Sequence, residues 1–181
     1  MINGLCDLYH PTQTLADLYT IKENFGGFPE DLKVAYVGDG CNTANSLLLG
    51  CDIMGINFSA ASPKGYEIPN EILNGAKNKT YSLSNDPKEA VKDADIIYTD
   101  TWVSMGCEKE YEERIKIFKP FQVNEELLKF AKADVKIMHC LPAHRGEEIT
   151  QEVIDGPHSI VFKQAVARLY IAKALLKFLL Y

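Results

Sequence analysis

Hydrophobic positions along this chain switch repeatedly between the period of a strand and the period of a helix. Residues 32–38, LKVAYVG, form a β-branched and aromatic run closed by Gly38-Asp39-Gly40, and Thr43 to Ile53 then reads as a helix. GINFSAASP (55–63) predicts a strand ended by Pro63, PNEILNGAKN (69–78) a helix, TYSLS (80–84) a short strand, and DPKEAVKDA (86–94) a helix capped by Asp86. ADIIYTD (94–100) is the next strand. An irregular stretch over 101–121 leads to the helix NEELLKFAK (124–132), capped by Asn124, then to the strand VKIMHCLP (135–142), broken by Pro142, and the short strand SIVF (159–162). Helices close both ends. In HPTQTLADLYTIKEN (10–24), Pro11 suits a first turn and Leu15, Leu18, Tyr19 and Lys22 recur at helical spacing. AVARLYIAKALLKFLLY (165–181) is apolar around so much of its circumference that it requires cover on two sides.

Strands alternating with helices imply βαβ units, hence an α/β fold: a doubly wound parallel sheet, Rossmann-like, with helices on both faces. Such sheets bind ligands at the carboxyl ends of their strands, near the point where strand order reverses. Asp39 to Asn42, Asp100 to Met105 and His139 to Pro142 all follow predicted strand ends, so candidate chemistry concentrates there.

Composition narrows the function classes. At 181 residues the chain is long enough for one domain with a substantial core, and its 46% hydrophobic and 24% charged content is that of an ordinary globular protein. No apolar run reaches membrane-spanning length, and the stretch MINGLCDLYHP has neither the basic region nor the apolar core of a signal peptide. A formal net charge of −6 disfavours nucleic acid as a partner. Cys6, Cys41, Cys51, Cys107 and Cys140 are scattered and form no Cys-x-x-Cys, which suits reduced thiols in the cytoplasm.

VGDGCNTANS (37–46) contains Gly38-x-Gly40-x-x-Ala44, a dinucleotide-binding pattern. The acid that would hold the adenosine ribose is missing from NFSAASPKG, where only Ser62 and Lys64 suit a 2′-phosphate. Three readings stay open: an NADP site, a tight strand-to-helix turn with no ligand, and a small polar ligand held by Asn42 and the free N–H groups of the helix start. HCLPA (139–143) also admits three, because a thiol at a strand end serves as nucleophile, metal ligand or buried apolar group. A zinc cluster of His139, Cys140 and His144 is disfavoured, since adjacent side chains at a strand end point to opposite faces and the usual ligand spacing is absent. No metal or other cofactor is expected.

HPTQTLADLYTIKE, VGDGCNTANS, TDTWVSMG, HCLPAHRGEEIT and ARLYIAKALL occur in the order and approximate spacing of ornithine carbamoyltransferases, so the chain resembles that family along nearly its whole length. The resemblance covers the ornithine-binding domain and the interdomain helix. The Ser-Thr-Arg-Thr-type phosphate motif of the family's carbamoyl phosphate domain has no counterpart in these residues. The implied organisation is an interdomain helix region over 1–25, an ornithine-binding domain over 26–165, and a helix over 166–181 that packs on the carbamoyl phosphate domain.

The resemblance implies transfer of the carbamoyl group from carbamoyl phosphate to the δ-amine of ornithine, giving citrulline and phosphate. It assigns ornithine to Asn42, Asp100, Ser104 and Met105. His10 and Gln13 match the pair that meets the carbamoyl group, and Leu141 and Arg168 also reach carbamoyl phosphate. Cys140, His10 and Arg168 stand as the catalytic set, with Cys140 positioning the δ-amine as thiol or thiolate. A homo-oligomer is implied for the full-length enzyme, and negligible turnover for this chain alone. Two departures stand out: Cys41 replaces the first of two family asparagines, and KQAVAR (163–168) keeps the arginine while replacing its usual acidic and amide neighbours. The alternatives are an NAD(P)-binding domain of an oxidoreductase and a non-catalytic amino-acid-binding module.

Overall fold

The computed structural model describes residues 2–103 and 110–180. The chain runs through α1 (Pro11–Phe25), β1 (Lys33–Val37), α2 (Asn42–Met54), β2 (Asn57–Ala61), α3 (Asn70–Leu73), β3 (Tyr81–Ser84), α4 (Pro87–Val91) and β4 (Ile96–Thr99). It continues through α5 (Tyr111–Phe118), a 3-10 turn (Lys119–Phe121), α6 (Glu125–Leu128), β5 (Lys136–His139), α7 (Gln151–Ile154) and α8 (Val161–Leu180). The strands form one sheet in the order β3-β2-β1-β4-β5, with every pairing parallel. This is the doubly wound topology expected from the alternation, with strand order reversing between β1 and β4.

Alternate residues of the strands feed two cores. Val34 and Tyr36 of β1 join Leu47, Leu48 and Cys51 of α2 and Ile21 of α1 on one face. Ala35 and Val37 join Val91 of α4, Leu127 of α6 and Val153 of α7 on the other. A strand buried on both faces has no polar side, and β1 and β4 are accordingly near-continuous apolar runs. Asp86 caps α4 by accepting from Lys88 N at 2.9 Å, and Asn124 caps α6 by accepting from Leu127 N at 3.0 Å, both as expected.

Three expectations are corrected. The stretch over 101–121 is not irregular throughout, because α5 occupies its second half; that helix buries Arg114 and Phe118, and a buried arginine hides the apolar period. SIVF is not a strand: Ser159 makes only an isolated bridge to Ile137 before α8 starts at Val161. In α1 the helix is present, but Leu15 and Tyr19 face outward, while Gln13, Asp17 and Thr20 are buried. Its inward face sets these polar groups beside Ala16 and Ile21, so it does more than pack.

Helix α8 lies along α1 and β5 and buries only Val161, Gln164 and Ala167. Phe162, Leu169, Tyr170 and Phe178 remain exposed, Phe178 by 82%. Among the described residues no helix is long and apolar enough to cross a membrane.

Candidate functional site

The carboxyl ends of β1, β4 and β5 lie side by side, and each delivers polar residues to the crevice where strand order reverses. After β1 the chain turns through Gly38 and Gly40 into α2. Gly38 has φ of 143°, which side chains other than hydrogen rarely tolerate. Gly40 N donates to Tyr66 O at 2.8 Å, and a Cβ built on Gly40 would collide with the backbone of Glu67 and Ile68. In a dinucleotide site the second glycine leaves room for the pyrophosphate. Here the protein's own backbone fills that room, so the NAD(P) reading loses its geometric basis and the glycines serve the turn.

Arg114 clamps this region. Its guanidinium pairs with Asp39 in the β1–α2 turn, Nε donates to Trp102 O at 2.5 Å in the loop after β4, and the group sits 4.8 Å from the Tyr66 ring centroid and 5.0 Å from that of Phe118. One buried cation thus joins α5 to the ends of both central strands.

Asp100, at the end of β4, accepts from Thr101 N at 2.7 Å and from the Cys140 thiol at 2.9 Å on one oxygen, and from the Cys41 thiol at 3.6 Å on the other. Burial, reinforced by the Asp100 charge, pushes the Cys140 thiol well above its ordinary range, and the same causes push Cys41 up to about 12. Both sulfurs are therefore neutral donors near neutrality, and thiolate nucleophilic chemistry at Cys140 is disfavoured. Cys41, unexplained by sequence, holds the second oxygen of Asp100 and also contacts Tyr36 OH at 3.5 Å.

His139 ends β5 immediately before Cys140, with its ring buried. Its Nδ1 accepts from Leu141 N at 2.9 Å and its Nε2 meets Glu148 Oε1 at 3.1 Å, within the buried sheet edge. Asp100, His139 and Cys140 offer ligand atoms within 4.8 Å of one another, but both ring nitrogens of His139 already have partners, so the set does not fit a cation. Leu141 has φ of 58°, and its side chain packs with Ala143 against the α4–α6 core, leaving its backbone at the crevice.

A second cluster faces the crevice from α1 and α8. Arg168 Nη1 donates to Gln13 Oε1 and lies 3.3 Å from His10 Nε2. His10 occupies the cap position of α1 without capping it; its Nδ1 lies 3.0 Å from Gly4 O instead. Burial and the Arg168 charge lower its pKa, so the imidazole is neutral. Gln13 Nε2 donates to Asp17 Oδ1 at 2.8 Å, Gln164 Nε2 donates to the same oxygen at 2.7 Å, and Tyr98 OH donates to Oδ2 at 3.2 Å. Asp17 is completely buried, and that burial raises its pKa to about 7 despite these bonds.

An acid with a higher pKa folded than unfolded binds its proton more tightly in the native state, so its contribution to stability is lost as pH rises from about 4 to about 7. Asp17→Asn removes that loss. The Tm difference between variant and parent shifts in the variant's favour from about pH 5 to about pH 8, as thermal unfolding at both values will register.

The predicted residues therefore separate into Asp100 with Cys140 and His10 with Gln13 and Arg168. Asn42 opens α2, its Nδ2 donating to Cys6 O at 2.7 Å, so one of its two amide N–H groups is engaged by the segment before α1. Ser104 and Met105 lie outside the described residues. Sequence reasoning did not identify Arg114, Asp17, Tyr98 or Gln164. The spacing of Tyr111, Arg114, Ile115 and Phe118 in EYEERIKIF is helical and marks α5; Gln13 with Asp17 and Gln164 with Arg168 each sit four apart on one helix face.

The family profile described as "Aspartate/ornithine carbamoyltransferase, Asp/Orn binding domain" matches residues 30–179. The chain is 54% identical over 187 residues to the ornithine carbamoyltransferase of Bacillus subtilis, covering 100% of this chain and 58% of that protein. Against the ornithine carbamoyltransferase of Methanocaldococcus jannaschii it is 52% identical, covering 99% of this chain and 61% of the relative. The solved structure of the Pyrococcus furiosus ornithine carbamoyltransferase superposes with a TM-score of 0.90 at 51% identity, over 96% of this chain and 57% of that one. The chain thus spans somewhat more than half the length of the proteins it matches.

Proposed function

The chain belongs to the aspartate/ornithine carbamoyltransferase family, and on that premise we propose that it is the amino-acid-binding part of an ornithine carbamoyltransferase. The observation that carries the reading is the Asp100–Cys140 pair, a carboxylate and a neutral thiol 2.9 Å apart at adjacent strand ends. Asp100 binds the α-ammonium of ornithine through a charge-assisted hydrogen bond, and Asn42, with the segment carrying Ser104 and Met105, holds the amino acid's carboxylate. Cys140 borders the path of the δ-amine and orients it.

The reaction forms a bond from the neutral δ-nitrogen to the carbamoyl carbon, breaks the bond from that carbon to the phosphate oxygen, and releases one proton from the amine. No residue need be acylated, so the catalytic requirement is orientation plus stabilisation of the tetrahedral oxyanion. Arg168 supplies donors for that oxygen or the phosphate, Gln13 meets the carbamoyl group, and the neutral His10, whose Nδ1–H faces Gly4 O, accepts from Arg168 at Nε2 and so holds the guanidinium toward the crevice. Arg168 takes its orientation from Gln13 and His10 in place of the acidic neighbours usual in the family. The exposed apolar face of α8 fits the proposal that residues 166–181 pack on a carbamoyl phosphate domain. The full-length enzyme is a homo-oligomer on this reading. A cytoplasmic location is part of it too, in keeping with free thiols at Cys6, Cys41, Cys51 and Cys140.

The purified 181-residue chain, given ornithine and carbamoyl phosphate, is expected to form negligible citrulline, because it has no counterpart of the phosphate-binding motif. A colorimetric citrulline assay checks this; sustained turnover would contradict the proposed division of labour.

A further inference from the structure

Helices α1 and α8 and strand β4 are tied to one buried carboxylate, and β5 is joined to it through Gln164. Asp17 Oδ1 accepts from Gln13 on α1 and from Gln164 on α8, and Oδ2 accepts from Tyr98, two residues before Asp100 on β4. Gln164 Oε1 in turn accepts from His139 N at 3.0 Å, immediately before Cys140. A carboxylate only accepts, so it draws the NH2 end of each glutamine inward and turns each carbonyl oxygen outward. Without that acceptor the buried NH2 of Gln13 loses its partner, and the Arg168 contact alone opposes its reorientation.

We propose that Asp17 is a positioning residue that locks the amide of Gln13, so that Gln13 presents a carbonyl oxygen to the crevice and selects a group bearing an N–H donor. One lone pair of that oxygen receives Arg168; the other is left for the NH2 of a carbamoyl group. The site thereby distinguishes carbamoyl from an acyl group of the same shape, since a methyl in place of NH2 leaves the oxygen unpaired. This inference rests on the proposed function for the identity of the group that Gln13 meets.

The test compares citrulline with Nδ-acetylornithine, which differs in carrying CH3 where citrulline carries NH2; norvaline, lacking both, is the control. By isothermal titration the parent chain binds citrulline about tenfold more tightly than Nδ-acetylornithine, the value of one hydrogen bond and the desolvation it offsets. Asp17→Asn retains an acceptor oxygen for both glutamines and keeps that ratio within about threefold. Asp17→Leu collapses the ratio to about one while norvaline affinity stays within about twofold. A preference unchanged in folded Asp17→Leu overturns the proposal.

A second measurement needs no ligand. In 15N-correlated spectra of the parent, the side-chain NH2 signals of Gln13 and Gln164 move together with a single midpoint near neutrality and stop doing so in Asp17→Asn. The titratable groups facing Asp17 do not share that midpoint: Tyr98 on β4, Cys51 on α2 and Cys140 after β5 are all pushed upward, and the remaining charged neighbour is the Arg168 guanidinium on α8. His10, in contact with Arg168, is moved downward. Separate midpoints for the two glutamines, or none, overturn the proposal. If the parent binds none of the amino acids, the proposed function fails while these spectra still decide the role of Asp17.

Discussion

Arg114→Ala lowers folding stability by about 3 to 5 kcal/mol, the cost of leaving one member of a buried ion pair behind. The remaining group is Asp39, whose side chain is only 16% exposed, against 6% for Arg114. Burial already raises the Asp39 pKa with the guanidinium in place, and losing that charge raises it further. The deficit is therefore larger at high pH, where Asp39 must ionise without a partner, and smaller at low pH, where it takes up a proton. For a chain of this size the expected loss corresponds to a Tm roughly 10 °C lower. Arg114→Lys recovers only part of it, because an ammonium keeps the charge but cannot span Asp39 and Trp102 with a planar fork. Thermal unfolding of the three proteins at two pH values checks the magnitude and its direction.

Asp100→Ala weakens ornithine binding by about thirtyfold to a hundredfold, the loss expected for a charge-assisted hydrogen bond to an ammonium group. Asp100→Asn retains an acceptor without the charge and falls between the two. The change also frees the thiols of Cys41 and Cys140, which have Asp100 as partner, so Cys140→Ala is the necessary control. Its smaller effect, about threefold to tenfold, isolates the contribution of the thiol contact. Calorimetric titration with ornithine measures all three variants; an unchanged affinity in Asp100→Ala would remove Asp100 from the binding site.

The parts of the fold that were legible in the sequence are those where backbone chemistry and hydrophobic period agree. LKVAYVG followed by a glycine turn and a helix is one such place, and the strand it marks lies at the centre of the sheet. α5 was hidden because its inward residue is an arginine, and buried charge carries no hydrophobic signal until its partners are known. In α1 the helix was legible but its faces were not: Leu15 and Tyr19 face outward, Leu18 packs on the core, and Gln13, Asp17 and Thr20 face inward.

The site divides the same way. HCLP and the residues after each strand end are local strings, so Cys140 and Asp100 stood out. Asp17 and Gln164 are 147 residues apart, and nothing in either local sequence announces their hydrogen bond. The Gly38-x-Gly40-x-x-Ala44 pattern was ambiguous for a related reason. Its glycines suit a pyrophosphate or a close pass of the chain itself, and the segment at Glu67 and Ile68 that decides between them lies beyond β2.

The central claim is that this crevice binds an amino acid and not a nucleotide. Isothermal titration of the purified chain with L-ornithine and, in parallel, with NADPH tests it most directly. Saturable binding of ornithine at one site per chain, with no heat from NADPH, is the predicted result; saturable binding of NADPH with no response to ornithine would contradict it.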